Sequence, residues 1–304
     1  MDGILNIDKP AGMTSFKVVA RVKRLSGNKK AGHAGTLDPA ATGVLPVCIG
    51  QGTRVVEFLV NDSKTYRAQI ELGRATDTYD ASGQVVRQGD TTGITQEQME
   101  KALNAFRGSI RQIPPMFSAV KRHGRPLYEL ARCGITVERE SRPAQVYRLD
   151  MIDWRLPVAT VEIECSRGTY IRSIAHDLGQ MLGCGAHLKS LVRTRCGIFH
   201  INDAVTLSQL EDAFQRGRWQ RFLYPPDSVL GHWKAIVVGS EAEDIIRHGG
   251  SVVLEEETRL EGQQYPEQTG YDEFYRGYTV DGRFFGVLRF SCETGRWHPV
   301  KVFR

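Results

Sequence analysis

The chain begins with a short apolar run, GILNID, and then with helix-capping residues at Thr14 and Ser15. Apolar residues follow at 16, 19, 22 and 25, and the pattern stops at Gly27. This spacing predicts a strand and then a helix whose inward stripe is Phe16, Val19, Val22 and Leu25. VLPVCIG, TYRAQIELG and GQVVR read as strands, and Thr95-x-x-Gln98 is a capping box that opens a helix with Met99, Leu103 and Phe106 on one face. Residues 114–142 are too rich in proline, glycine and charge for a core element, so they read as an excursion holding a short helix from Pro126 to Gly134. AQVYRLDMIDW and ATVEIECS read as long strands that lead through Gly168 into a helix with Ile171, Ile174, Leu178 and Met181 facing inward, and AHLKSLVRTRCGIF reads as a further strand. Strands pairing with their sequence neighbours under helices predict an α+β sheet, not a doubly wound one. Beyond YPPDSVLGHW the pattern turns to short strands and glycine turns, which predicts a small β-rich domain with its boundary near residue 230.

Composition adds limits. The 304 residues are 41% apolar and 25% charged, with no stretch near the roughly 18 apolar residues of a membrane span. MDGILNIDKP is not a secretory signal, so a cytoplasmic protein without membrane contact is expected. The six cysteines lack any Cys-x-x-Cys pair and read as isolated thiols, and no zinc-type spacing is present. Charge is distributed unevenly: from Lys9 to Leu37 there are seven Lys or Arg and no acid, from Arg107 to Arg148 nine against three, and from Arg167 to Arg195 five against one. Between Glu241 and Glu273 the balance reverses to ten acids and two bases. Cationic clusters of this kind suit a polyanion, whose counterions they release, although a solvated face has the same composition.

One stretch carries chemistry. In AGHAGTLDPAATGVLP the lone carboxylate Asp38 is surrounded by residues with almost no side chain, and His33 is its only large polar neighbour. Tyr66 lies between two cations in KTYRA, SRGTYIRS sets Arg167, Tyr170 and Arg172 around a strand-to-helix turn, and the excursion offers Lys121, Arg122, His123 and Arg125. Aromatic rings among cations hold unstacked bases beside phosphates. Singly, each feature has an ordinary structural explanation.

Together, and in this order, GILNIDKPAGMTS, GHAGTLDPAATGVLPVCIG, KTYRAQIELGRATDT, PPMFSAVKRHGRPLYELARCG, SRGTYIRSIAHDLG and HLKSLVRTRCGIF resemble the bacterial TruB-type tRNA pseudouridine synthases, over most of residues 3 to 200. The resemblance implies a pseudouridine-synthase-like α+β fold: a mixed, mainly antiparallel sheet flanked by helices in a catalytic domain of residues 1–230. It further implies a thumb insertion at about 114–142 and a small β-rich, PUA-like domain at 231–304. The implied activity is isomerisation of the T-loop uridine at position 55 of tRNA, by a monomer, with no guide RNA, no cofactor and no metal. Asp38 matches the essential carboxylate, Arg172 the arginine that pairs with it and lowers its pKa, and Tyr66 the tyrosine that stacks on the target base and handles its C5 proton. Tyr170 and Leu191 match residues lining the pocket, and His33 the histidine that takes space vacated by the flipped nucleotide. Lys9, Lys121, Arg122 and Arg125 are implied phosphate contacts, Lys9 alternatively supporting the floor of the site. Whether Asp38 attacks the base, attacks the sugar or abstracts the 2′ proton is left open. Val192 departs from the arginine usual in the family. Acids at 255, 256, 257, 261 and 267 work against phosphate binding by the terminal domain, where Arg276, Arg283, Arg289, Arg296, Lys301 and Arg304 are the opposing cations. The rival reading is a non-catalytic RNA-binding module or tRNA folding chaperone.

Overall fold

The computed structural model describes residues 2–122, 124–254 and 273–303, so the acids at 255, 256, 257, 261 and 267, together with His123 and Arg304, lie outside the described residues. Eight strands form the framework: β1 (Gly3–Lys9), β2 (Ala31–His33), β3 (Thr42–Ile49), β4 (Lys64–Leu72), β5 (Gly108–Gln112), β6 (Arg142–Arg155), β7 (Val158–Cys165) and β8 (Ala186–Cys196). Their order across the sheet is β1-β3-β8-β4-β7-β6-β5, with β2 added on β3. Every pairing among them is antiparallel except β8 on β3. β8 thus enters between β3 and β4, which are near neighbours in sequence, a departure from simple neighbour pairing. In that position Arg193 lies opposite both Tyr66 of β4 and Gly43 of β3. Gly43 is required there: its φ is +98°, and a Cβ would sit 2.3 Å from the Arg193 carbonyl oxygen.

Helices cover the sheet as their local signals direct. The Ser15–Ser26 helix is capped by the Thr14 hydroxyl and stopped by Gly27 at φ 64°, and the Gln96–Asn104 helix carries the full Thr95–Gln98 capping box. Their faces differ in part from the periodic reading. The first helix buries Val18, Val19 and Val22 and leaves Phe16 77% exposed. The Ile171–Met181 helix buries Ile171, Ile174, Ala175 and Leu178, and leaves Met181 exposed. The excursion forms a two-stranded ribbon, Lys121–Arg122 with Arg125–Pro126, followed by the helix Leu127–Arg132.

Two apolar clusters lie under these helices. One packs Ala68, Ile70, Ile163, Ile174 and Leu178, and the other Leu5, Ile7, Val18, Val22, Leu45 and Val47. Tyr66 and Leu191 touch both, which places them on the seam. A separate four-stranded sheet (Lys234–Val238, Glu273–Thr279, Phe284–Ser291, Arg296–Val302) is joined to the main body through a third cluster in which Val287 and Phe303 meet Val44, Leu59 and Phe199.

Candidate active site

A cleft of about 1380 Å³ opens along the seam, and His33, Asp38, Tyr66, Tyr170, Arg172 and Leu191 all line it. Residues far apart in sequence meet there because four elements end at one place: the loop between β2 and β3, strands β4 and β8, and the first turn of the Ile171–Met181 helix.

The Asp38 loop is held from behind. The Ser15 hydroxyl donates to the Leu37 carbonyl (3.1 Å) and accepts from the Leu37 N–H (2.9 Å), and the Gly12 N–H donates to the Pro39 carbonyl (2.8 Å). Lys9 completes the anchor: its ammonium donates to the carbonyls of Pro10 (2.9 Å), Met13 (2.7 Å) and Pro39 (3.2 Å) and is fully buried. This corrects the phosphate-contact expectation for Lys9. All three ammonium donors are used on backbone carbonyls and no water-facing surface remains, so Lys9 acts on the loop rather than on RNA. Burial brings its pKa down to about 8, with Asp38 opposing the fall and Arg193 adding to it.

Arg172 is the hub. Its Nε lies 2.9 Å from one oxygen of Asp38, and Nη2 donates to the other at 3.2 Å, a two-pronged pairing. The same guanidinium faces Asp80 at 3.6 Å and donates to the carbonyls of Thr78 (3.3 Å) and Phe117 (2.9 Å). Arg172 is 6% exposed and Asp38 39%, so the carboxylate looks into the cleft while the cation is sealed beneath it. Burial raises the Asp38 pKa; Arg172 and Lys9 pull it down, Asp80 pushes it up, and the net direction is upward. The expected lowering by Arg172 is thus present but does not prevail, because removing a carboxylate from water costs more than one partly shared cation returns.

Tyr66 and Arg193 stand side by side. Burial pushes the phenol up to about 12, with Arg193 opposing. Arg193 is 1% exposed and donates to the carbonyls of Val44 (2.6 Å) and Gly35 (3.1 Å). Burial and then Arg193 lower the His33 pKa, which favours the neutral imidazole. Tyr170 stands immediately before the Ile171–Met181 helix, and its backbone is clasped by the Gln112 amide, which donates to its carbonyl (3.1 Å) and accepts from its N–H (2.9 Å). Burial raises the Tyr170 phenol, opposed by the Ser118 hydroxyl beside it.

Lys121, Arg122 and Arg125 are not brought into this group. They are exposed on the ribbon, where Arg122 donates to the Glu138 carbonyl, while Phe117, Ser118, Tyr128 and Arg132 of the same excursion line the cleft. Asp80, Arg193 and Gln112 were not singled out by the sequence. Arg193 sits inside HLKSLVRTRCGIF, one position past the Val192 departure, and Asp80 lies just beyond KTYRAQIELGRATDT; their partners are distant in sequence, Val44 and Gly35 for Arg193 and Arg172 for Asp80, which no local pattern shows. Among the described residues no three metal-ligating side chains meet. The arrangement offers a carboxylate, Asp38, held on an arginine, a flat aromatic, an apolar wall at Leu191 and a cationic lining of Lys64, Arg132, Arg167, Arg172 and Arg193 against Asp38, Asp77 and Asp80. That combination accommodates a planar base attached to a phosphodiester and presents it to a nucleophile or base.

Comparison with known proteins gives the same picture. Residues 23–171 match the model of the TruB family pseudouridylate synthase N-terminal domain, and residues 172–230 that of the tRNA pseudouridylate synthase B C-terminal domain. The chain is 45% identical over 303 residues to tRNA pseudouridine synthase B of Dehalococcoides mccartyi, covering 100% of this chain and 97% of that protein. It is 41% identical over 307 residues to the enzyme of the same name from Pseudomonas aeruginosa, covering 100% and 96%. Among solved structures, a chain of a Cbf5-Nop10-Gar1 complex superposes with a TM-score of 0.72 at 26% identity, over 99% of this chain and 84% of the other.

Proposed function

The chain belongs to the TruB family of pseudouridylate synthases, and from that premise we propose that it isomerises a T-loop uridine of tRNA, at position 55, to pseudouridine, with Asp38 as the catalytic group. The reaction breaks the N1–C1′ bond, turns the base, joins C5 to C1′, releases the C5 proton and protonates N1. It neither oxidises nor hydrolyses, so its balance calls for no co-reactant. The observation that carries the reading is the two-pronged Arg172–Asp38 pair, which aims one carboxylate into a cationic cleft. Arg172 positions the carboxylate. Tyr66 stacks on the uracil and handles the C5 proton, the Arg193 guanidinium easing ionisation of a phenol that burial otherwise keeps protonated. Tyr170 and Leu191 close the sides of the pocket, and neutral His33 fills space left in the T loop by the flipped nucleotide.

The thumb, residues 114–142, closes over the T stem with Lys121, Arg122 and Arg125 toward phosphate. Residues 1–230 form the catalytic domain and 231–304 a PUA-like domain, a division supported by the separate sheet that starts at Lys234. One chain supplies the whole set of site residues, which supports action as a monomer. No helix among the described residues is long and apolar enough to cross a membrane, in keeping with a cytoplasmic enzyme. Identities of 41–45% to the tRNA enzymes, against 26% to a protein of a Cbf5-Nop10-Gar1 complex, support a synthase working on tRNA alone.

The test is incubation with an unmodified tRNA transcript in chelator, with pseudouridine mapped afterwards. One T-loop pseudouridine is expected from the parent and none from Asp38→Asn, which keeps the shape of the side chain but neither attacks nor accepts a proton as a carboxylate does. Dependence on a guide RNA or a metal, or product from Asp38→Asn, would refute the reading.

A further inference from the structure

Phe16 is the most exposed large apolar side chain among the described residues, at 77%. Three valines, Val18, Val19 and Val22, supply the buried face of its helix, so the ring is not needed for packing. A single exposed apolar residue is ordinary, but this one lines the cleft that holds Asp38. Its place relative to the carboxylate is also fixed. Ser15, next to Phe16, is bonded in both directions to Leu37, next to Asp38, and Lys9 and Gly12 tie the same two segments together.

From these observations we propose that the Phe16 ring is a stacking platform for a nucleobase adjoining the uridine that enters the Asp38 pocket. The inference rests on the reading of the protein as a tRNA pseudouridine synthase and extends it to a further substrate contact. Nearby charge selects the partner: from Lys17 to Leu37 there are six Lys or Arg and no acid, with Arg21 paired to Glu211, which suits a polyanion and not a matching protein face. Withdrawing one nucleotide from a folded loop leaves its neighbours with an uncovered face, and an aromatic ring replaces that stacking whatever the base identity. Phe16 is thus a positioning residue, not a catalytic one.

The test combines Phe16→Ala, Phe16→Leu and Phe16→Trp with a T-stem-loop RNA carrying an abasic site on either side of the target uridine. Phe16→Ala should weaken RNA binding by about 5- to 150-fold, the range for one lost base stack. Phe16→Trp should bind at least as well as the parent, and Phe16→Leu should fall between. The salt slope should be the same in all, since no charge is removed. An abasic site next to the target should weaken binding by the parent but cost Phe16→Ala nothing further. Thermal midpoints should not move, because the ring is exposed. Equal affinities of parent and Phe16→Ala, full recovery by leucine, or additive effects of the abasic site and Phe16→Ala would each overturn the proposal. Pseudouridine formation by the parent is scored separately on the same RNA: its absence sinks the enzymatic reading, whereas its presence with unmoved affinities sinks only the Phe16 assignment.

Discussion

Replacing Arg172 by Met keeps most of the side-chain volume and removes the cation beneath Asp38. The two contacts to Asp38 at 2.9 and 3.2 Å, the approach to Asp80 at 3.6 Å and the donors to Thr78 and Phe117 all go at once. Burial already holds the Asp38 pKa above its ordinary 3.8, and Arg172 is the largest opposing influence. An adjacent cation lowers a carboxylate pKa, so its loss should raise that of Asp38 further. The direction of the kinetic effect follows. The reaction proposed for Asp38 uses its ionised carboxylate, so the acid limb of single-turnover pseudouridine formation should move to higher pH, with tenfold lost per unit on that limb. Stability should move with it. A carboxylate whose folded pKa is raised favours the folded state at low pH and burdens it at high pH. The destabilisation by Arg172→Met should therefore be greatest above the shifted pKa and shrink as pH falls through it. Breaking a buried pair costs about 3 to 5 kcal/mol, and the lower end applies here because Asp38 is 39% exposed. The assay is single-turnover tritium release from tRNA carrying uridine labelled at C5, from pH 5 to 8.5, beside urea unfolding at the two extremes. Arg172→Lys should keep the limb near that of the parent but lower the plateau, since one ammonium cannot hold both oxygens of Asp38 and two carbonyls. A limb for Arg172→Met that coincides with the parent's would refute the claim that Arg172 tunes Asp38.

Lys9→Met should leave the salt slope of tRNA binding unchanged, whereas joint Lys121→Ala, Arg122→Ala and Arg125→Ala should flatten it; a flatter slope for Lys9→Met would return Lys9 to phosphate contact. The Lys9 pKa falls from 10.5 unfolded to about 8 folded, so its cost to the folded state is complete below pH 8 and relieved as pH climbs to 10.5. The parent should accordingly gain stability over that window relative to Lys9→Met, and parallel urea midpoints would refute it. Gly43→Ala should destabilise by on the order of 3 kcal/mol or more, because the new Cβ meets the Arg193 carbonyl at 2.3 Å in a left-handed conformation; a loss under about 0.5 kcal/mol in urea unfolding would refute that close approach.

Much of the framework was legible in the sequence because its signals are local. Thr14, the Thr95–Gln98 box and Gly27 satisfy or release backbone groups within one helical turn, and the structure uses each at that position. The long apolar strands were likewise readable. What only the tertiary structure decided depends on partners distant in sequence. β8 enters between β3 and β4 and so sets Arg193 against Tyr66, a pairing that no spacing encodes. Lys9 looked like any basic residue until three carbonyls from two loops enclosed it. Phe16 fits a helical stripe as well as Val18 does; which of them is buried was settled by where the neighbouring strands stand. Periodicity fixes the angle between side chains around a helix axis, but the direction in which the core lies is a property of the assembled fold. For the same reason the net pKa of Asp38 could not be read from its pairing with Arg172: desolvation and Asp80, both tertiary, outweigh that single cation.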